Sequence, residues 1–172
     1  MNASETLSDL GWQPCFEAQT EPTQGLRPAR VLYVHRGRVL VAHAAGQASI
    51  AVTGRAAVFG ITVGDWVLLD AERPAVLARL ERRTVFQRRA AGTSGEVQPL
   101  AANVDTLFVV TSANRDFNLA RLERYLAIAN DAGVFPVIVI TKADLGDGAD
   151  DYVAAARSLA PGLLVEALDA RD

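Results

Sequence analysis

The residues with the clearest chemistry form the tetrapeptide Thr141-Lys142-Ala143-Asp144, which follows an apolar run. Lys142 is the only lysine among seventeen basic residues, and Lys and Arg differ in shape, hydration and stacking. A carboxylate such as that of Asp144 can accept hydrogen bonds from two neighbouring N–H groups, and a lysine stem can pack along a planar ring. The two side chains are therefore candidates for binding a planar ligand.

The tetrapeptide is similar to the [NT]KxD motif with which GTPases read the guanine base. In that motif the carboxylate accepts hydrogen bonds from the ring N–H and the exocyclic amine of guanine, which adenine does not offer, and the lysine stem packs along the base. The resemblance therefore implies a guanine-binding site. Lys-x-Asp also occurs by chance, and the alternative is a polar loop in which Asp144 is a turn residue. The surrounding elements bear on this choice, because a binding motif has to lie where its fold presents ligands.

The second half of the chain has the periodicity of an α/β fold. Near-continuous apolar runs predict strands buried on both faces, and a helix is predicted between Asn118 as N-cap and Gly133 as stop. The pattern is strand, helix, strand, helix, strand, over residues 104–111, 118–132, 134–140, 150–159 and 163–165. This order predicts a parallel sheet. Ligands bind at the carboxyl ends of such strands, and Asp144 follows the second strand at that end.

The first half of the chain has a different pattern. Residues 28–89 alternate short β-rich runs with turn signals, which predicts five or six strands in a small antiparallel β barrel. Residues 1–27 lack periodicity and are predicted to be an arm, and residues 90–100 are predicted to be a linker to a second domain at 101–172. Trp66 is most simply a core aromatic, with stacking on a nucleobase as the alternative.

Positive charge is concentrated in the predicted barrel. The segment from Arg27 to Arg89 holds eleven arginines and four acids, a net charge of +7 that suits a polyanion. Arginine forks bind phosphate well, so five residues are candidates for RNA contact: Arg79, Arg82, Arg83, Arg88 and Arg89. The alternative is a solvated charged surface.

A GTPase also needs a phosphate-binding loop of the form G-x-x-x-x-G-K-[ST]. The sequence contains none, and the stretch from Val104 to Ile140 is too short to hold a phosphate loop and switches ahead of the base motif. Either the tetrapeptide is accidental or the domain is circularly permuted, with its phosphate half beyond Asp172.

The order of features resembles the amino-terminal half of the circularly permuted, ribosome small-subunit-dependent GTPase A family (RsgA, also called YjeQ). The resemblance covers roughly residues 28–170. The motifs that carry it, besides Thr141-Lys142-Ala143-Asp144-Leu145, are Gly64-Asp65-Trp66-Val67, Arg82-Arg83-Thr84, Asp116-Phe117-Asn118-Leu119 and Arg121-Leu122-Glu123-Arg124-Tyr125-Leu126.

The resemblance implies an OB-fold barrel followed by part of a circularly permuted P-loop GTPase domain with a parallel sheet. It implies that the barrel binds the small ribosomal subunit and its rRNA, and that the complete protein hydrolyses GTP in late maturation of that subunit. Thr141, Lys142, Ala143 and Asp144 match guanine-binding positions, and residues 169–170 (Asp169 and Ala170) fall where a second guanine loop belongs. Mg²⁺ and Zn²⁺ are implied for the complete protein. Neither metal is expected on this fragment, which is not expected to contain catalytic residues or to hydrolyse GTP alone.

The remaining sequence features bound the class of protein. A single cysteine, Cys15, excludes an internal disulfide framework. No signal peptide or membrane-spanning apolar run is present, so we expect a cytoplasmic monomer that binds no membrane. The alternative function is an RNA-binding OB module whose α/β half docks a protein and has no nucleotide activity. A phosphate-binding motif encoded shortly after residue 172 would separate the two hypotheses.

Overall fold

The computed structural model describes residues 6–20, 25–52, 60–89, 97–145 and 148–171. The chain divides into two compact units, Met1–Asn103 and Val104–Asp172.

The first unit is an antiparallel β structure. Five strands form a sheet in the order β3-β2-β1-β4-β5, and β6 and β7 form a separate two-stranded sheet. The strands are β1 (Leu26–His35), β2 (Arg38–His43), β3 (Gly46–Ala51), β4 (Trp66–Asp70), β5 (Val76–Arg79), β6 (Val85–Arg89) and β7 (Val97–Ala102). The antiparallel prediction is confirmed. In the part of the chain that the structure describes, the five-stranded sheet is open, so a closed barrel is not seen there.

Strand β1 organises this sheet because it pairs with two neighbours in turn. Residues 26–30 pair with β4 and residues 30–35 pair with β2, with an irregularity between Val31 and Tyr33. Alternate residues point to the same face of a strand, and the alternating apolar residues of these strands build the core. Its buried members include Val31, Val39, Val41, Ile50 and Val67.

Part of the predicted arm packs on this unit. A short helix, α1 (Pro14–Glu17), places Phe16 against Trp66, and both side chains are at most 1% exposed. The ring of Trp12 meets Trp66 edge-on, with 4.7 Å between ring centroids. The packing supports the core interpretation of Trp66. The predicted arm is also too long at its end, because residues 26–27 belong to β1.

The predicted linker is wrong for residues 97–100. They belong to β7, which pairs antiparallel with β6. Val85 lies opposite Ala102 at one end of the ladder, and Arg89 lies opposite Val97 at the other. The sequence of this strand contains Gln98 and Pro99 and lacks an alternating apolar pattern, so periodicity did not predict it. Residues 90–96 of the predicted linker lie outside the described part of the chain.

The second unit is a parallel α/β layer, as predicted. Its strands β8 (Thr106–Ser112), β9 (Phe135–Thr141) and β10 (Leu164–Ala167) lie in the order β10-β9-β8. Helix α2 (Leu119–Asp131) begins after Asn118, whose side chain accepts a hydrogen bond from the Arg121 backbone N–H at 2.9 Å. Helix α3 (Ala149–Arg157) lies between β9 and β10 along the chain, after a short 3₁₀ helix, Ala143–Leu145.

Helices α2 and α3 pack on one face of this sheet. Their apolar residues meet Val109, Ile138, Ile140 and Val165 in a buried core. On the opposite face, four apolar side chains are at least half exposed: Phe108, Val110, Phe135 and Leu164. Parallel sheets normally have both faces covered by other elements. Packing of a further protein segment on this face would therefore be favourable. Among the described residues, no helix is long and apolar enough to cross a membrane.

Candidate functional site

The tetrapeptide Thr141-Lys142-Ala143-Asp144 leaves the carboxyl end of β9, the central strand of the parallel sheet. Thr141 is the last residue of the strand, and Lys142 has a positive φ of 60° that turns the chain sharply. Asp144 then lies in the 3₁₀ helix. The strand-end position is where parallel sheets bind ligands, and the sequence predicted it from the apolar run alone.

Hydrogen bonds tie the ends of all three strands together. The Thr141 hydroxyl donates to the Thr111 carbonyl oxygen of β8 at 2.9 Å. On the other side of β9, the Leu168 N–H donates to the Ile140 carbonyl at 2.9 Å, and the Ala143 N–H donates to the Leu168 carbonyl at 3.4 Å. These contacts hold the loop after β9 beside the loop after β10, so the two predicted guanine loops are neighbours.

Charged side chains from the two loops meet at this edge. Arg171 donates to Asp144 Oδ2, and its Nε and Nη2 donate to the two carboxylate oxygens of Asp169 at 3.0 and 2.9 Å. The acids are partly sheltered, with 28% of the Asp144 side chain and 25% of the Asp169 side chain exposed, whereas the Arg171 side chain is 68% exposed. The hydrogen bond from Arg171 lowers the pKa of Asp169 and raises that of Arg171.

The arrangement has the chemistry of a base-binding edge. Asp144 offers carboxylate oxygens as acceptors, and Lys142 is exposed beside it. Both follow a rigid strand whose end is fixed by the Thr141 hydroxyl. Ala170 lies in the neighbouring loop, between the two residues that form the ion pair with each other. The structure thus brings the predicted guanine-site residues to one edge of one sheet.

The predicted RNA-contact arginines have different environments. Arg82 forms a bidentate ion pair with Asp65, Nε to Oδ1 at 2.7 Å and Nη2 to Oδ2 at 2.8 Å, and Nη2 also donates to the Gly60 carbonyl at 2.7 Å. The Asp65 side chain is fully buried and that of Arg82 is only 17% exposed. Arg82 is therefore a structural residue of the first unit, because its guanidinium is held facing inward.

The other four arginines do not share that pair. Arg83 Nη1 donates to the Gln13 side chain at 2.6 Å, and Arg79 Nη1 donates to the Leu80 carbonyl at 3.2 Å. Arg88 and Arg89 lie in β6, but their side chains lie outside what the structure describes. The partners described for Arg79 and Arg83 thus differ from those of Arg82.

A surface that the sequence reading missed lies on the outer face of β1 and β2. The exposed rings of Tyr33 and His35 stack with 6.2 Å between centroids and 12° between planes. Arg38 is paired with His35 across the two strands, and it donates to the Ser49 hydroxyl at 3.1 Å and to the Ser49 carbonyl at 2.9 Å. We call Tyr33, His35 and Arg38 the aromatic-basic face. The signal that could have found it is the i, i+2 spacing of two aromatic rings in a strand beside an Arg-Gly turn.

A groove of about 420 Å³ accompanies this face. Val39, Leu40 and Ser49 line it together with the three residues of the aromatic-basic face. Tyr33 is 57% exposed, so a planar ring has access to it from solvent.

The resemblance implies Mg²⁺ and Zn²⁺ for the complete protein and neither metal for this chain. No group of three or more His, Cys, Asp or Glu in the described ranges is placed to hold a metal ion. Cys15 is exposed and not in a disulfide.

Comparison with known proteins identifies the family. The model of the RsgA GTPase family matches residues 79–168, more than half of the chain. The chain belongs to the RsgA GTPase family. It is 46% identical over 98% of its length to the small ribosomal subunit biogenesis GTPase RsgA of Mesorhizobium japonicum. It is 41% identical over its whole length to RsgA 2 of Vibrio parahaemolyticus.

The chain spans about half the length of these RsgA relatives, 49% and 48% respectively. Two solved structures share the fold. YjeQ from Thermotoga maritima has a TM-score of 0.65 at 20% identity, with 85% of this chain and 52% of that chain covered. YloQ, described as a circularly permuted GTPase, has a TM-score of 0.62 at 23% identity, with 89% and 55% covered.

Proposed function

We propose that this chain carries the guanine-reading half of a circularly permuted GTPase that acts in biogenesis of the small ribosomal subunit. The observation that carries the proposal is the position of Asp144, whose carboxylate lies just after the central parallel strand, next to Lys142 and beside the loop of Asp169. The names of the RsgA relatives supply the biological process.

Each residue of the site has a distinct role in this proposal. Asp144 accepts hydrogen bonds from the ring N–H and exocyclic amine of guanine, and the Lys142 stem packs along the base plane. The Thr141 hydroxyl holds the end of β9 to β8, which fixes the direction of the Asp144 loop. The loop of Asp169 and Ala170 borders the base from β10.

Hydrolysis needs groups that these 172 residues do not supply. In-line transfer of the γ-phosphoryl group to water depends on a phosphate-binding loop, beside which Mg²⁺ would supply charge neutralisation in the complete protein. The sequence has no G-x-x-x-x-G-K-[ST] motif, so we expect GTP hydrolysis only from a longer protein that contains one. The exposed apolar face of the parallel sheet suits packing by the part of such a protein that would carry the phosphate-binding loop.

The first unit is proposed to be an OB-fold that binds ribosomal RNA. Its five-stranded order, with β1 shared between β2 and β4, supports a five-stranded Greek-key barrel. Stacked rings beside an arginine are the chemistry that binds single-stranded RNA, with bases on the rings and phosphates on the guanidinium. We therefore propose that RNA contacts the aromatic-basic face together with Arg79 and Arg83. Arg82 is excluded because its guanidinium is held by Asp65. The other proposed candidates, Arg88 and Arg89, lie on strand β6 of the two-stranded sheet.

Guanine binding is tested with nucleosides, because they bear no phosphate and report on the base alone. The ¹⁵N-labelled 172-residue chain is titrated with guanosine, inosine and adenosine while the amide signals of residues 142–145 and 169–171 are followed by NMR. Inosine lacks the exocyclic amine and loses one of the two hydrogen bonds to Asp144. We expect the affinity order guanosine, inosine, adenosine. Equal affinities for all three would refute the proposal and favour the docking-module alternative.

RNA binding is tested by measuring affinity for a single-stranded RNA at several salt concentrations. Tyr33→Ala is expected to cost about 1–3 kcal/mol of binding free energy through lost stacking. Arg38→Ala is expected to lower the salt slope by about 1, because one phosphate contact is lost. Arg124→Ala, an exposed arginine on α2 in the second unit, is the charge-matched control. Equal slopes in Arg38→Ala and the parent would show that this face does not touch phosphate.

A further inference from the structure

The guanidinium of Arg171 lies on the carboxylate that the proposed function assigns to guanine. It donates to Asp144 Oδ2 and is anchored from the other side by two hydrogen bonds to Asp169, at 3.0 and 2.9 Å. One arginine thus links an acid of the loop after β9 with an acid of the loop after β10.

A guanidinium and the edge of guanine offer a carboxylate the same chemistry. Both are planar groups that present adjacent N–H donors. Guanine uses both oxygens of Asp144, one for its ring N–H and one for its amine, and Arg171 already holds Oδ2. The contact atoms of Arg171 therefore stand in for those of the base.

We propose that Arg171 is an internal competitor of guanine. In the nucleotide-free chain it occupies Asp144, and an incoming base displaces it toward solvent. This inference rests on the proposed function. By competing for Asp144, Arg171 weakens guanine binding and favours release of the base.

The exposure of the three side chains makes displacement easy. The Arg171 side chain is 68% exposed, whereas the side chains of Asp144 and Asp169 are 28% and 25% exposed. Arg171 can leave Asp144 outward without disturbing buried packing, and Asp169 keeps its charge partnered after the move. The proximity of both acids raises the pKa of Arg171, so the competitor stays charged.

The test is the affinity of the 172-residue chain for guanosine, measured by the NMR titration described above. Arg171→Ala is expected to tighten guanosine binding by about two- to fivefold, the range that corresponds to breaking an exposed ion pair. Arg124→Ala removes the same charge from an exposed position on α2 and is expected to leave the affinity unchanged.

Salt supplies a readout that a purely structural role would not move. Guanosine is uncharged, so added salt acts on the Arg171–Asp144 pair and weakens the competitor. Between about 0.05 M and about 0.5 M NaCl, we expect the affinity of the parent chain for guanosine to rise toward that of Arg171→Ala. In Arg171→Ala the affinity is expected to be independent of salt.

The outcomes separate the two proposals. If the parent prefers guanosine over adenosine but Arg171→Ala binds guanosine equally or more weakly, the competitor proposal is wrong and the proposed function stands. The same conclusion follows if both proteins have the same salt dependence. If the parent binds guanosine and adenosine alike, or binds neither, both proposals fail.

Discussion

Replacing Asp65 by alanine is expected to destabilise the first unit strongly. Its carboxylate is fully buried and accepts three hydrogen bonds, two from Arg82 at 2.7 and 2.8 Å and one from the Thr62 backbone N–H at 2.8 Å. Asp65→Ala leaves the guanidinium of Arg82, which is only 17% exposed, without its carboxylate partner. It also leaves the Thr62 N–H without an acceptor in a buried position.

The magnitude follows from these two losses. Removing one member of a buried ion pair costs about 3–5 kcal/mol, and an orphaned buried N–H accounts for about 1–3 kcal/mol of such an effect. We take about 3 kcal/mol, the lower end, because Arg82 retains some access to water. For a unit of this size that loss lowers the midpoint temperature of unfolding by about 12 °C or more.

Tryptophan fluorescence during urea unfolding measures this unit alone. The chain has two tryptophans, and both Trp12 and Trp66 pack in the first unit. Glu72→Ala is the control, because that side chain is exposed and its backbone N–H keeps its bond to Asp70.

A double-mutant cycle with Arg82→Ala isolates the pair. We expect the losses of unfolding free energy in Asp65→Ala and Arg82→Ala to sum to about 3 kcal/mol more than the loss in the double variant. The reason is that either single change already breaks the ion pair. A loss below about 1 kcal/mol in Asp65→Ala, or strictly additive losses, would refute the assignment of Arg82 as a structural residue.

Two further predictions concern the same unit. Gly64 has a φ of +86°, and a Cβ there would lie 2.0 Å from the Ala102 carbonyl oxygen. Gly37 has a φ of +78° but open space around it, so Gly64→Ala is expected to lower the free energy of unfolding more than Gly37→Ala does. Equal losses in urea unfolding would contradict the steric argument. Burial, with a smaller contribution from Arg27, lowers the pKa of His43 below its usual 6.5, so the unfolded chain binds more protons and the free energy of unfolding falls as the pH drops through 6.5. His43→Gln is expected to flatten that part of the stability profile measured between pH 8 and pH 5, and an unchanged profile would exclude His43 as its cause.

The architecture of the second unit was predictable because its signals are local. Apolar runs of strand length, Asn118 as an N-cap and Gly133 as a stop specify strands and helices without reference to distant residues. Their alternation then implies a parallel sheet. The same reasoning put the tetrapeptide at a strand end, which is where the structure has it.

The pairing of charged residues was not predictable, since it depends on contacts between distant segments. Counting arginines treats Arg82 like Arg83, but the fold brings Asp65, seventeen residues away, into a bidentate ion pair with Arg82. Arg171 lies twenty-seven residues from Asp144 and meets it only because β10 pairs with β9. Charge density thus indicated a polyanion-binding region, while the separation of structural from exposed arginines required the tertiary structure.

The most direct test of guanine recognition is to reverse the hydrogen-bonding character of one oxygen at Asp144. Asp144→Asn keeps the shape of the side chain but replaces an acceptor by an N–H donor, which repels the exocyclic amine of guanine and suits the 2-oxo group of xanthine. The measurement is the affinity of the parent and of Asp144→Asn for guanosine and xanthosine, with Asp131→Asn, an exposed residue of α2, as control. We predict that Asp144→Asn weakens guanosine binding by at least about tenfold and prefers xanthosine. An unchanged preference for guanosine would contradict the account.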